Sequence, residues 1–148
     1  MQKKAPRSLP QLPCACANLR RAARAVTKMY NHELRSSELE LTQFTLLMTL
    51  DIAGEITQKT LGRLLAMDST TLTRTLSFLV ESGWISSNPG EDRREKLLNL
   101  TSSGRRKFQQ TQPIWERAQK KLEARIGDKT WLQMGQLLTS IATSAEAD

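Results

Sequence analysis

The chain has 148 residues, with 22 lysines and arginines against 15 carboxylates and a formal net charge of +7. That length supports one domain with its own core, and the charge favours an anionic partner such as nucleic acid or a membrane surface. No apolar run reaches the roughly 18 residues of a membrane span, no secretory apolar segment follows the basic start, and two cysteines with one histidine, His32, make neither a zinc site nor a catalytic triad; the expectation is a cytoplasmic protein that is not an enzyme and holds no metal or cofactor.

Residues 1–13 carry Pro6, Pro10 and Pro13 and are expected to form an extended or disordered arm. From Cys14 to about Arg35 the pattern turns helical. Leu19, Ala22, Ala23, Val26, Met29 and Tyr30 share one face, and Arg20, Arg21, Arg24 and Lys28 lie mostly off it. Thr42 is placed to cap a second helix holding Phe44, Leu46, Leu47, Leu50 and Ile52, with Gly54 as its stop. That segment is apolar almost all round and should be central and buried. Thr57 caps a short helix with Leu61, Leu64 and Leu65; Ala66-Met67-Asp68 makes the turn. Asp68 or Ser69 then caps a helix that runs to about Ser82 and ends at Gly83.

Trp84–Asn88 and Lys96–Leu100 are strand candidates joined by a turn that starts at Pro89-Gly90 and has a charged, solvated tip. Thr101 caps a long helical pattern with Gly104 in its first turn, and Pro113 predicts a kink. Ile114, Trp115, Ala118, Leu122 and Ile126 continue its apolar face. Gly127-Asp128 breaks the chain, and Trp131, Met134, Leu137, Leu138 and Ile141 form a last amphipathic helix. Charge is uneven: residues 1–37 are net +7, 38–68 net −3, 69–112 net +3 and 113–148 net zero.

On the helix that follows Asp68, Leu72, Leu76, Leu79 and Val80 cluster on the side expected to pack on the protein. The opposite side shows Thr70, Arg74 and Ser77, with Ser69, Thr71 and Thr73 at its margin. Such a face suits the major groove of DNA: small residues allow close approach, hydroxyls reach phosphates and base edges, and an arginine can read guanine. The alternative is a solvated face rich in threonine, a poor helix former. Phe78 fits neither side. At the hairpin tip, Asp92-Arg93-Arg94 offers cations on a narrow ribbon able to enter the minor groove, with a carboxylate near enough to hold a guanidinium.

The Asp68-Ser69-Thr70-Thr71-Leu72-Thr73-Arg74 helix start, Gly83-Trp84-Ile85, the Asp92-Arg93-Arg94 tip and Leu100-Thr101 with Gly104 together resemble the winged helix of the MarR family of bacterial transcription regulators. The resemblance covers roughly residues 14–145. It implies a mainly α fold with a small β-hairpin wing: a winged helix-turn-helix over residues 37–101, flanked by dimerisation helices at 14–36 and 102–145. It further implies a homodimer over a pseudo-palindromic operator in double-stranded DNA, acting as a repressor released by a small-molecule or oxidant signal. By this carry-over Arg94 is the minor-groove arginine braced by Asp92, with Arg93 beside it, and Ser69, Thr70, Thr71, Thr73, Arg74 and Ser77 belong to the recognition helix. A dimer also answers the exposure of Trp115, Trp131 and Leu138 that a small winged helix leaves uncovered. A winged-helix protein-interaction module is the rival function, and the basic tip and Thr/Arg face argue against it.

Relatives in that family sense a small phenolic or lipophilic effector or an oxidant. Cys16 and Tyr30 have the spacing of the peroxide-sensing members, in which the pair meets across the dimer, although Arg20 replaces a second tyrosine. The other reading of Cys14 and Cys16 is small thiols packed at the subunit contact. Two residues apart on a helix, they point in different directions and would form a strained bond within one chain. An effector pocket lined by Tyr30, Phe44, Met48 and Trp115 is the alternative sensor, and these residues can equally be plain core.

Overall fold

A computed structural model describes residues 9–147; residues 1–8, with Pro6, lie outside the described residues. The remainder of the expected arm, residues 9–13, has no regular structure but is fastened to the first helix, α1 (Ala15–Leu34). Asn18 does most of this. Its Oδ1 accepts the Leu12 N–H at 3.0 Å while its Nδ2 donates to the Leu12 carbonyl at 2.7 Å. Arg21 adds a bond to the Pro10 carbonyl at 2.8 Å.

α1 ends in a 3₁₀ turn, Arg35–Ser37, whose buried Ser37 hydroxyl donates to the Leu34 carbonyl at 2.7 Å. The next helix, α2 (Leu41–Ala53), starts earlier than expected. Glu40 rather than Thr42 occupies the cap: its N–H donates to Gln43 Oε1 at 2.9 Å, and Asn31 of α1 takes the Leu41 N–H at 2.6 Å. Two donors at the helix start are thus satisfied by side chains, and Thr42 falls within the first turn. Phe44, Leu46, Leu47 and Leu50 are buried as expected, whereas Ile52, beyond the reach of the neighbouring elements, is 80% exposed.

A two-residue strand, β1 (Ile56–Thr57), precedes α3 (Gln58–Leu64) and α4 (Ser69–Glu81). The hairpin strands are β2 (Ile85–Pro89) and β3 (Lys96–Leu100). All three make one antiparallel sheet in the order β1-β3-β2, with Ile56 opposite Leu98 and Ile85 opposite Leu100. The sequence pattern missed β1, and it placed the first hairpin strand one residue early. Trp84 instead closes the end of α4, donating its N–H to the Leu79 carbonyl at 3.0 Å.

α5 (Ser102–Ile126) runs unbroken through Pro113, so the ring costs it one N–H donor without dividing it. α6 (Asp128–Glu146) follows after Gly127. The core gathers Leu34, Leu39, Phe44, Leu47, Leu61, Leu76, Leu79, Ile85, Leu98 and Phe108 between α2, the winged unit and the first half of α5. Val80, expected on the packing side of α4, is 38% exposed, and Leu64 of α3 faces solvent. No residue of α6 is buried. No helix among the described residues is long and apolar enough to cross a membrane.

Candidate nucleic-acid interface

The start of α4 is fixed by one side chain. Asp68 caps it, accepting the Thr71 N–H at 2.9 Å, and this hydrogen bond holds its carboxyl below the usual carboxylate range. Leu72, Leu76 and Leu79 then anchor the inner face. Ser69, Thr70, Thr73, Arg74 and Ser77 are exposed on the outer side, and Thr71 is half-buried. Two of the hydroxyls are already engaged. Ser77 Oγ donates back to the Thr73 carbonyl at 2.9 Å. Thr73 Oγ1 accepts from Gln58 Nε2, at the head of α3, at 3.2 Å. The Thr73 hydroxyl keeps its own proton to donate. Gln58 is a contributor that the sequence pattern did not single out; a glutamine just after a Thr cap carries no signal of its own.

The hairpin tip is equally determined. Gly90 N–H donates to the Glu95 carbonyl at 2.9 Å and Glu95 N–H to the Asp92 carbonyl at 2.8 Å, closing the loop. Asp92 does not brace the Arg94 guanidinium as expected. Its carboxylate instead accepts the backbone N–H of Arg94 at 2.9 Å, a short-range turn bond that shapes the loop and leaves the guanidinium free to reach outward. Arg93 and Arg94 are exposed, and neither is ion-paired among the described residues. Between α3, the start of α4 and the tip lies an open cleft of about 890 Å³. Ser69 and Arg94 both border it, together with the cations Lys59, Arg63 and Lys96. The hydroxyl-bearing helix start and the arginine tip therefore face one common space.

A knot of backbone contacts ties this unit to α5. The Thr101 hydroxyl donates to the Gly83 carbonyl at 2.6 Å, and its oxygen accepts the Gly104 N–H at 2.9 Å. Thr101 N–H donates to the Trp84 carbonyl at 3.1 Å. Gly104 passes so close that a Cβ there would sit 1.9 Å from the Trp84 oxygen. Phe78 finds its place here too: its ring meets Trp84 edge-on at 6.1 Å, and Lys107 lies over Trp84 at 4.9 Å.

The candidate sensor residues are dispersed. Cys14 and Cys16 are exposed at the start of α1. Tyr30 is buried further along it, its hydroxyl hydrogen-bonded to Gln119 of α5, and burial pushes that phenol up. Fourteen residues of helix span about 21 Å, so Cys16 and Tyr30 do not meet within one chain. Phe44 is wholly buried, stacked on Phe108 at 5.5 Å and tilted against Trp115 at 5.6 Å, with Met48 packed against the same core. Within a single chain Phe44 has no surface to offer an effector.

Known proteins share this arrangement. The sequence model of the MarR family matches residues 39–96. An HTH-type transcriptional regulator of Bacillus subtilis, YwoH, is 35% identical over 92 residues, which is 62% of this chain and 67% of that one. The structure of the M. tuberculosis transcriptional regulator MosR in complex with DNA superposes with a TM-score of 0.80 at 33% identity, covering 90% of this chain and 96% of that one. A mutant MarR from E. coli complexed with operator DNA shares the fold, with a TM-score of 0.76 over 85% of this chain and 91% of that one, at 23% identity.

Proposed function

The chain belongs to the MarR family of transcriptional regulators, and from that premise we propose that it acts as a homodimer on a pseudo-palindromic operator in duplex DNA, repressing until a signal releases it. It is a DNA-binding regulator and not an enzyme. One observation carries the site reading: Ser69 at the head of α4 and Arg94 at the wing tip border the same open cleft, where Lys59, Arg63, Arg94 and Lys96 outnumber Asp92, Glu95 and Glu146. A duplex seated there receives the Thr/Ser/Arg face of α4 in its major groove and the arginine tip in the adjacent minor groove. Thr73, oriented by Gln58, offers its proton to an acceptor on a base edge or phosphate.

The dimer is supported by α6. Leu132 is 71% exposed and Leu137 60%, on a helix that packs chiefly against α5. Leu19 of α1 is also exposed. A second copy laid across these residues would bury them and set the two recognition helices about one DNA turn apart, roughly 34–36 Å. The test is an electrophoretic mobility shift with DNA from upstream of the coding region. We expect salt-sensitive, sequence-preferring binding; equal affinity for unrelated DNA overturns the reading.

For the signal, the exposed thiols favour an oxidant. Cys14 and Cys16 share an open hollow of about 510 Å³ with Arg20, Arg21 and Arg24. A Cys16→Ser variant is expected to keep DNA binding while losing release by an organic hydroperoxide. Identical peroxide responses in variant and parent would remove Cys16 from the mechanism.

A further inference from the structure

The outer side of α1 carries a row of cations that the other described residues do not answer. Arg20, Arg24 and Lys28 follow one another at four-residue spacing, and Arg35 extends the row into the 3₁₀ turn, all of them exposed. The row spans about 22 Å. Glu33 is the one acidic residue of α1, and its carboxylate is taken by Lys121 of α5 at 2.5 Å, away from the row. Among the described residues the ion pairs are Arg105–Asp51, Lys107–Glu38 and Lys121–Glu33, so none of the four cations is neutralised.

Such a helix works against its own stability. Arg20 and Arg24, then Arg24 and Lys28, repel at one-turn spacing. The first turn of α1 has no acidic residue that could offset them. The excess is also displaced from the proposed operator site: α1 and the 3₁₀ turn hold five cations against Glu33 alone, net +4 of the chain's +7. α1 packs chiefly on α2, the 3₁₀ turn and α5, not on α4 or the hairpin.

We propose that the outer face of α1 binds the phosphate backbone of a second duplex DNA segment while α4 and the wing hold the operator. This goes beyond the operator reading and uses different residues. The chemistry selects the partner. A shallow groove of about 560 Å³ runs along the face, bordered by Arg24, Lys28, His32 and Arg35 with Thr27 and Asn31, and it offers no large apolar side chain. A protein interface wants an apolar or aromatic centre, and a membrane-surface helix needs apolar groups to insert. A phosphate backbone asks only for charge and donors. Leu19, Ala22 and Val26, the apolar residues of α1 that a second copy would cover, lie on the opposite side of the helix from Lys28 and Arg35.

The experiment holds the full-length protein saturated with unlabelled upstream DNA and titrates it with a labelled duplex of unrelated sequence about three helical turns long. We expect salt-sensitive capture of the labelled duplex. The Arg24→Gln/Lys28→Gln/Arg35→Gln triple variant should lose roughly tenfold or more of that affinity and flatten the log–log salt slope by about 2.7. Its upstream binding and sedimentation should match the parent. An Arg93→Gln/Arg94→Gln variant should weaken upstream binding and keep the capture. Unchanged capture by the triple variant overturns the proposal, as does an altered oligomeric state, which would assign the face to the subunit contact. Tighter binding of an acidic peptide than of the labelled duplex overturns the assignment to DNA. Upstream DNA that fails to bind counts against the operator reading alone, since capture of the unrelated duplex is scored separately.

Discussion

Asp68, Arg94 and Gly104 each hold one position by one physical cause. The Arg94 guanidinium is exposed, and only its backbone N–H is used, by Asp92. Its side chain is therefore available for the minor groove, and Arg94→Ala should weaken operator binding by about 1–3 kcal/mol without lowering thermal stability. A gel-shift titration beside a melting curve checks both halves, and unchanged affinity would take the wing out of the contact. Asp68 differs, because its role is internal. Its folded carboxyl is held below the ordinary value by the Thr71 N–H, so the unfolded chain is the better proton binder. The stabilisation is complete above about pH 4 and is lost as pH falls through the lower folded value. Asp68→Ala should then lower the melting temperature by roughly 2–4 °C between pH 5 and 8, and the difference should narrow as pH falls below about 4. Gly104 has no room for a methyl group, since the obstructing atom is the Trp84 carbonyl oxygen and cannot rotate aside. Gly104→Ala is expected to cost about 3 kcal/mol or more and to lower the melting temperature by about ten degrees; an unmoved transition would show that the contact relaxes freely.

At the level of elements, legibility followed local determination. α4 and the hairpin could be read because Asp68, Gly83, Pro89-Gly90 and Thr101 mark their ends, and each of those markers has a bond or dihedral behind it: Gly83 takes φ +76°, and Thr101 caps α5 through Gly104. β1 could not be read, because two residues make a strand only through their pairing with Leu97 and Leu98. Ile52 and Val80 were misplaced for a related reason. Apolar periodicity reports which residues can be buried, not whether another element arrives to cover them. The cap of α2 went to Glu40 because Gln43 and Asn31 answer the first N–H groups, and Asn31 lies ten residues away from Leu41. In the site the hydroxyl face and the arginine tip were legible, whereas the Gln58–Thr73 bond and the turn role of Asp92 depend on where backbones pass in space.

The whole chain is two assemblies of unequal completeness. The winged unit with α2 and the start of α5 closes around one shared core; α6 buries no residue. A Leu137→Lys/Leu138→Lys variant should therefore leave the winged unit folded. It should turn a dimer of the 16.7 kDa chain toward monomer, with an apparent dissociation constant raised at least a hundredfold if each leucine contributes about 1.5–3 kcal/mol. Analytical ultracentrifugation decides it, and a parent already monomeric at micromolar concentration would refute the dimer. The contacts of Thr101 with Gly83, Trp84 and Gly104 bear on how such a dimer could be switched. They weld the reading head to a helix 25 residues long, making head and shaft a single lever. A ligand or oxidant acting far up the shaft need not reshape the head at all: a few degrees of tilt at the subunit contact, multiplied along the shaft, would carry the two heads out of step with the pitch of DNA.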